Sequence, residues 1–150
     1  MWTIGHSTRS LETLLDFNTD ALARDLPAAG LAYTHRPGLG GFRRPRRGSR
    51  NAGWRHPSFR GYADYMETDE FAAELDALLD EARATPTAIM CAEAVPWRCH
   101  RLLISDALVA RGVEVRHILG PAPAEPHVLT AGARVAALDI AWGVTAVRAR

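Results

Sequence analysis

The sequence predicts an α/β domain: three layers, Rossmann-like, with a mostly parallel sheet. Three observations carry that expectation. Short apolar runs at residues 2–5, 31–34, 88–91 and 113–119 alternate with stretches of helical period, the pattern of strands joined by helical crossovers. Twice a strand runs through a small polar turn straight into a helix, at 5–10 and at 91–101. The composition, 47% hydrophobic and 23% charged over 150 residues, suits one domain with a substantial core.

Residues 2–5 form the first predicted strand. Gly5 and His6 then lead into Ser7, Thr8 and Ser10, all good helix caps, with Leu11, Leu14 and Leu15 as the apolar stripe that follows. Free N–H groups at such a helix start suit an anion, so Ser7, Thr8 and Arg9 are candidate phosphate contacts and His6 a candidate base. Asn18 caps a second helical pattern with Leu22 and Leu26 four apart, which Pro27 and Gly30 close. Leu31, Ala32, Tyr33 and Thr34 read as a short strand.

A turn-rich loop follows, from about residue 35 to 60. The chain has no lysine at all, and Arg36, Arg43, Arg44, Arg46, Arg47, Arg50, Arg55 and Arg60 all fall between Asp25 and Asp64, a stretch without a single acid. The net charge of +1 conceals this segregation. Guanidinium groups bind phosphate in a bidentate fork, and Trp54, Phe59, Tyr62 and Tyr65 interleave rings that could stack bases. Two bland readings stand beside that one: a solvated loop in an arginine-favouring composition, and aromatics that anchor the loop to the core. His35, Arg60 and Tyr62 are the candidate ligand contacts here.

Thr68 caps an amphipathic helix whose buried stripe is Phe71, Leu75, Leu78 and Leu79, with acids in its first turn that suit the helix dipole. Ala88 to Cys91 is then a buried strand. Pro96 fits the first position of the next helix and Gly112 its left-handed end. Cys91, Glu93, Arg98, Cys99, His100 and Arg101 thus gather around one strand-to-helix turn, the place where open α/β sheets bind ligands. Residues 113–119 make another strand and 120–126 a loop. The tail from His127 has no clean period and fits either an edge strand or a frayed helix.

The candidate chemistry lies at the 91–101 turn. A thiolate is the reactive form of cysteine, and a helix start with Arg or His⁺ beside it favours that form. Cys99 meets those conditions, yet Cys99, Leu103 and Ala107 also share the spacing of a buried stripe, and free cysteines are commonly buried. Glu93 lies outside any apolar period, so it is the candidate general base or a partner for Arg98 or Arg101. A zinc ion held by Cys91, Cys99, His100 and His6 is the alternative. The Cys-x7-Cys-His spacing matches no standard zinc module, and neighbouring residues on a helix point about 100° apart, so no metal is assigned. A phosphatase-like Cys-x5-Arg loop is missed by one residue. The dinucleotide and Walker fingerprints are absent, so no cofactor follows from a motif.

The runs at 3–9, 33–41 and 59–66, then Met90 to Glu93 with Cys99, His100 and Arg101, resemble the bacterial and archaeal domain of unknown function 488 family. The resemblance covers the chain to about His117 and extends weakly over residues 125–130. It implies an α/β fold and one shared site formed by the clustered polar motifs, and it brings no established reaction. One departure stands out. Family members follow the first helix with a second strand carrying an Asp-Val-Arg type motif and a Pro-Arg-Ser type loop. Here Leu14, Leu15 and Asp16 run directly into Phe17 and Asn18. The expectation is a sheet short of one strand, with an exposed edge or a gap beside the first strand.

The resulting reading is a single domain, an enzyme acting on a nucleotide or nucleic-acid substrate. Its catalytic candidates are Glu93, Cys91, Cys99, His6 and His100. Its substrate and phosphate contacts are Ser7, Thr8, Arg9, His35, Arg60, Tyr62, Arg98 and Arg101. The alternatives are a non-catalytic module that binds nucleic acid or a nucleotide through the arginine-rich loop, and a domain that has lost its activity with the missing strand. No apolar run is long enough to span a membrane, and no signal-like segment opens the chain; two cysteines are too few for a disulfide scaffold. The expected location is the cytoplasm.

Overall fold

The structure, a computed structural model, describes residues 1–5, 19–136 and 139–142. It is a mixed α/β domain consistent with a Rossmann-like fold. The four-stranded sheet has the order β2-β1-β3-β4, where β1 is Trp2–Gly5, β2 is Ala88–Cys91, β3 is Arg116–Ile118 and β4 is Glu125–Pro126. The first three strands are parallel and β4 is antiparallel to β3. Four helices accompany it among the described residues: α1 (Thr19–Ala28), α2 (Pro57–Tyr65), α3 (Asp69–Ala84) and α4 (Arg101–Ala110).

β1 is hydrogen-bonded on both sides, so the gap expected beside it is not there. The edge falls on β2, whose outer side pairs with no strand among the described residues. The junction at residues 14–18 and the first predicted helix lie outside the described residues. Side chains alternate across a strand, so Thr3 and Gly5 share one face of β1. That face is covered, and Thr3 is almost fully buried.

Local chemistry explains the best-formed helix. The Thr68 hydroxyl accepts from the Phe71 N–H and so caps α3, and Phe71, Leu75, Leu78 and Leu79 all go inside. These meet Tyr62, Ala63 and Tyr65 of α2 and Leu103, Ile104, Ala107 and Leu108 of α4 in one core. Gly112 takes φ +78 just past α4 and donates its N–H to the Val109 carbonyl, the left-handed stop expected of it.

Several sequence expectations are corrected. Residues 31–34 are not a strand; they carry no ladder, and all but Tyr33 are exposed. α1 runs through Pro27 to Ala28 before Gly30 ends it. The mixture of arginines and aromatics near residue 60 hides a helix, α2, with Pro57 at its start and the His56 ring accepting from Ser58 N–H. Pro96 opens a short 3-10 turn, Pro96–Arg98, and the α-helix begins only at Arg101. The tail forms a hairpin, β5 (Ala133–Ala136) with β6 (Asp139–Trp142), of which β6 lies beside α4.

The arginine-rich loop is fastened to the helices that follow it. Arg36 bridges Glu74 and Glu81 on α3 at 3.2 and 2.6 Å. Asp64 is buried and accepts from the Arg46 N–H, the Ser49 hydroxyl and the Asn51 amide at 2.7, 2.5 and 2.9 Å. Glu67 takes Arg46, Arg50 and Asn51. Tyr62 and Tyr65 donate their hydroxyls to the carbonyls of Leu39 and Gly38. Thus the acids missing from the loop stand on α2, on α3 and at Glu67 between them, and the aromatics anchor the loop to the core.

Candidate functional site

Three segments meet at the carboxyl ends of the parallel strands. β1 ends at Gly5 and β2 at Cys91, and these two are register partners. The chain then rises through the 92–95 turn, makes the 3-10 turn at Pro96–Arg98, and places Cys99 and His100 immediately before α4. One ligand-type atom each from Cys91, Cys99 and His100 lies within 4.8 Å of the other two. The Cys99 sulfur is 3.7 Å from His100 Nδ1. Because both residues precede the helix, the helical divergence expected of adjacent side chains does not apply.

Arg101 organises the cluster. It is the first residue of α4 and only 1% exposed. Its Nε donates to the Cys99 sulfur at 3.4 Å and its backbone N–H to the same atom at 3.5 Å. Its Nη2 donates to the Glu93 carbonyl. No carboxylate pairs with it among the described residues. A buried charge needs a compensating one, and the thiolate of Cys99 is the group placed to supply it. Gly5 makes room for this arrangement: a Cβ there would lie 2.0 Å from the Glu93 carbonyl oxygen and 2.7 Å from Arg101 Nη2.

The titration of the pair follows from these contacts. A hydrogen bond from the Cys91 thiol, aided by the Arg101 N–H groups and charge, outweighs burial and lowers the Cys99 pKa to about 6. The same hydrogen bond, together with burial, pushes Cys91 well above the ordinary thiol range. The two thiols therefore titrate as a pair, Cys99 shifted down and Cys91 up. Burial lowers the pKa of His100, whose ring lies 5.1 Å from that of Tyr62.

The sequence-predicted residues separate into three groups. Cys91, Cys99, His100 and Arg101 come together. Glu93 reaches this cluster through its backbone carbonyl, while the residue itself is exposed and its carboxylate pairs with neither Arg98 nor Arg101. Arg98 is exposed beside the turn. Arg60 donates from Nε and Nη2 to the Trp54 carbonyl at 3.0 and 2.8 Å, Tyr62 is buried, and His35 is exposed in the loop. His6, Ser7, Thr8 and Arg9 lie outside the described residues.

A second polar constellation has no counterpart in the sequence reading. Thr3 Oγ1, His117, His127 and Asp106 form a continuous chain of hydrogen bonds of 2.7, 2.9 and 2.8 Å. It runs from β1 through β3 to the segment after β4 and ends on α4. Asp106 is fully buried and also accepts the Thr130 N–H at 2.9 Å. Burial first, then His127 and Arg101, lowers the His117 pKa to about 4. The available signal was the odd placing of Asp106 within the apolar run of α4, together with the weak family likeness at residues 125–130.

The protein is thus an α/β domain with a mostly parallel sheet and a cluster of thiol, imidazole and guanidinium groups at the carboxyl ends of its strands. The chain belongs to the family described as domain of unknown function DUF488, whose pattern matches residues 9–108. That span includes Cys91, Glu93, Cys99, His100 and Arg101. No curated protein and no solved structure matches the chain. No helix among the described residues is long and apolar enough to cross a membrane.

Proposed function

We propose that this protein is an enzyme acting on a nucleotide or nucleic-acid substrate at the 91–101 turn, with the thiolate centre around Cys99 as its reactive group. One observation carries the reading: Arg101 is buried against the Cys99 sulfur with no carboxylate paired to it among the described residues. A structural cysteine needs no such partner, and a structural arginine would ordinarily be given an acid. Two arginines suit an anionic substrate. Arg98 stands exposed beside the turn, and the buried Arg101 adds a second positive charge there. In this reading Glu93, exposed on the same turn, moves the proton.

The test is turnover of a panel of nucleotides and short nucleic acids by the purified chain, with Cys99→Ser and Glu93→Gln beside it. Loss of turnover in the Cys99 variant, with a cooperative melt retained, supports the reading. Unchanged turnover in that variant removes it.

A second reading is favoured by a separate observation. Arg44, Arg47 and Arg55 are exposed and make no ion pair among the described residues, so the loop retains free positive charge after Arg36, Arg46 and Arg50 are paired. A non-catalytic module would bind nucleic acid there. Binding without turnover, with a salt slope that falls by about 0.7–0.9 for each arginine removed, would favour it.

A further inference from the structure

We infer that Cys91, Cys99 and His100 bind one soft divalent metal ion of the zinc class, leaving its fourth coordination position to an anionic ligand. The inference rests on the reading of the 91–101 turn as the site proposed above and gives that site a metal.

The donor set comes first. Two thiols and an imidazole are the ligands that select zinc over hard cations such as magnesium. Three protein ligands rather than four are the arrangement of a site that works on something, because one position stays open. Geometry comes next. Bond lengths of about 2.3 Å to sulfur and 2.0–2.1 Å to nitrogen put the donor atoms of a tetrahedral ion about 3.5–3.8 Å apart. The Cys99 sulfur and His100 Nδ1 are 3.7 Å apart and no edge of the cluster exceeds 4.8 Å. Closure asks for no more than about 1.3 Å along the longest edge, within reach of small χ adjustments. Cys91 ends a strand and Cys99 stands in a turn, so neither thiol is committed to the middle of a helix.

The surroundings agree. Metal thiolates are commonly held by N–H donors in the next shell, and the Cys99 sulfur already accepts two from Arg101. The guanidinium does not argue against a cation. Two thiolates balance a divalent ion, so Arg101 faces a neutral centre and contributes the remaining positive charge. That surplus favours an anion at the fourth position, such as a phosphate oxygen of the substrate class proposed above.

The experiment uses the full chain without an affinity tag, reduced and freed of metal with a chelator. Zinc is titrated in competition with a chromophoric chelator, and cobalt(II) is added in parallel to read its absorption. The expected result is one ion per chain, with the sulfur-to-cobalt charge-transfer band and the visible bands of a tetrahedral centre. Cys91→Ser and His100→Ala should each weaken zinc binding by more than about 100-fold, beyond the loss typical of an outer-shell partner. Should Cys99→Ser fail to fold, Cys91→Ser carries the comparison, since Cys91 is the less buried thiol. A folded, reduced wild-type chain that takes up no stoichiometric ion would overturn the inference, as would variants that bind like wild type. Turnover by a chain that binds no ion would remove the metal and leave the thiolate enzyme standing. One ion bound by these three residues, with no turnover on the panel, would do the reverse.

Discussion

The Glu93 carbonyl oxygen occupies the space that a Cβ on Gly5 would need, with only 2.0 Å between the two positions. Ala94 crosses the same residue, its oxygen 2.4 Å from that point. Both obstacles are backbone, so neither can swing aside as a side chain would. Gly5→Ala should therefore push the 93–94 turn off the end of β1 and loosen the Arg101 contact to Glu93. The expected cost is about 1–3 kcal/mol, typical of overpacking, read as a thermal midpoint several degrees lower. A variant that melts with wild type would show that the turn does not rest on Gly5.

Arg101 is expected to tolerate no other cation. Its fork reaches the Cys99 sulfur and the Glu93 carbonyl at once, whereas a lysine ammonium is a point charge on a flexible stem. Arg101→Lys should lose about 1.5–3 kcal/mol, the scale of a hydrogen bond to a charged group, and should lower turnover at least tenfold if the proposed enzyme reading holds. Equal stability and equal turnover in the lysine variant would argue that only the charge matters.

The arginine-rich loop should respond differently at neighbouring positions. Arg46 donates to Asp64 and pairs with Glu67, so Arg46→Ala should lower the melting midpoint measurably. Arg44 and Arg47 are exposed and carry no ion pair among the described residues. Their double alanine variant should stay within about 0.5 kcal/mol of wild type, as surface changes usually do. Equal destabilisation by both would mean that the loop is not fastened through Asp64 and Glu67.

Asp64 is expected to be an acid-sensitive tie. Burial would raise its pKa, but hydrogen bonds from Ser49, Asn51 and Arg46 prevail and hold it below the ordinary carboxylate value. Its contribution is present above that ordinary value and is lost as the pH falls through the depressed one. Asp64→Asn should remove this part of the acid sensitivity. It should also cost about 1–3 kcal/mol near neutrality, because an amide cannot accept from all three donors. Urea midpoints measured from pH 7 downward would show both effects.

His117 supplies a separate and earlier acid limb. Its pKa is lowered to about 4 by burial and by its charged neighbours, so the folded state holds it neutral while the unfolded chain protonates near pH 6.5. Stability should fall as the pH drops from about 6.5 to about 4. His117→Phe should flatten that limb while lowering stability at pH 7, since His127 and Thr3 lose a partner. Unchanged pH dependence in the variant would mean that the chain from Thr3 to Asp106 does not control it.

Local chemistry made part of this molecule legible from sequence alone. The Thr68 cap, the apolar stripe of α3, the β2 run and the Gly112 stop are all decided within a few residues, so pattern suffices. The gathering of Cys91, Cys99, His100 and Arg101 was legible too, because one strand-to-helix turn joins them. The tertiary structure decided what depends on distant partners. Residues 31–34 have the composition of a strand but no neighbour to pair with, and α2 was masked by the arginines whose acids sit on other elements. Arg101 was read as a phosphate contact; its burial against Cys99 follows from the fit of Gly5 beneath the 93–94 turn, which no spacing encodes. The Thr3–His117–His127–Asp106 chain joins residues more than a hundred positions apart, and hydrogen bonds of that range exist only once the sheet has brought β1 beside β3.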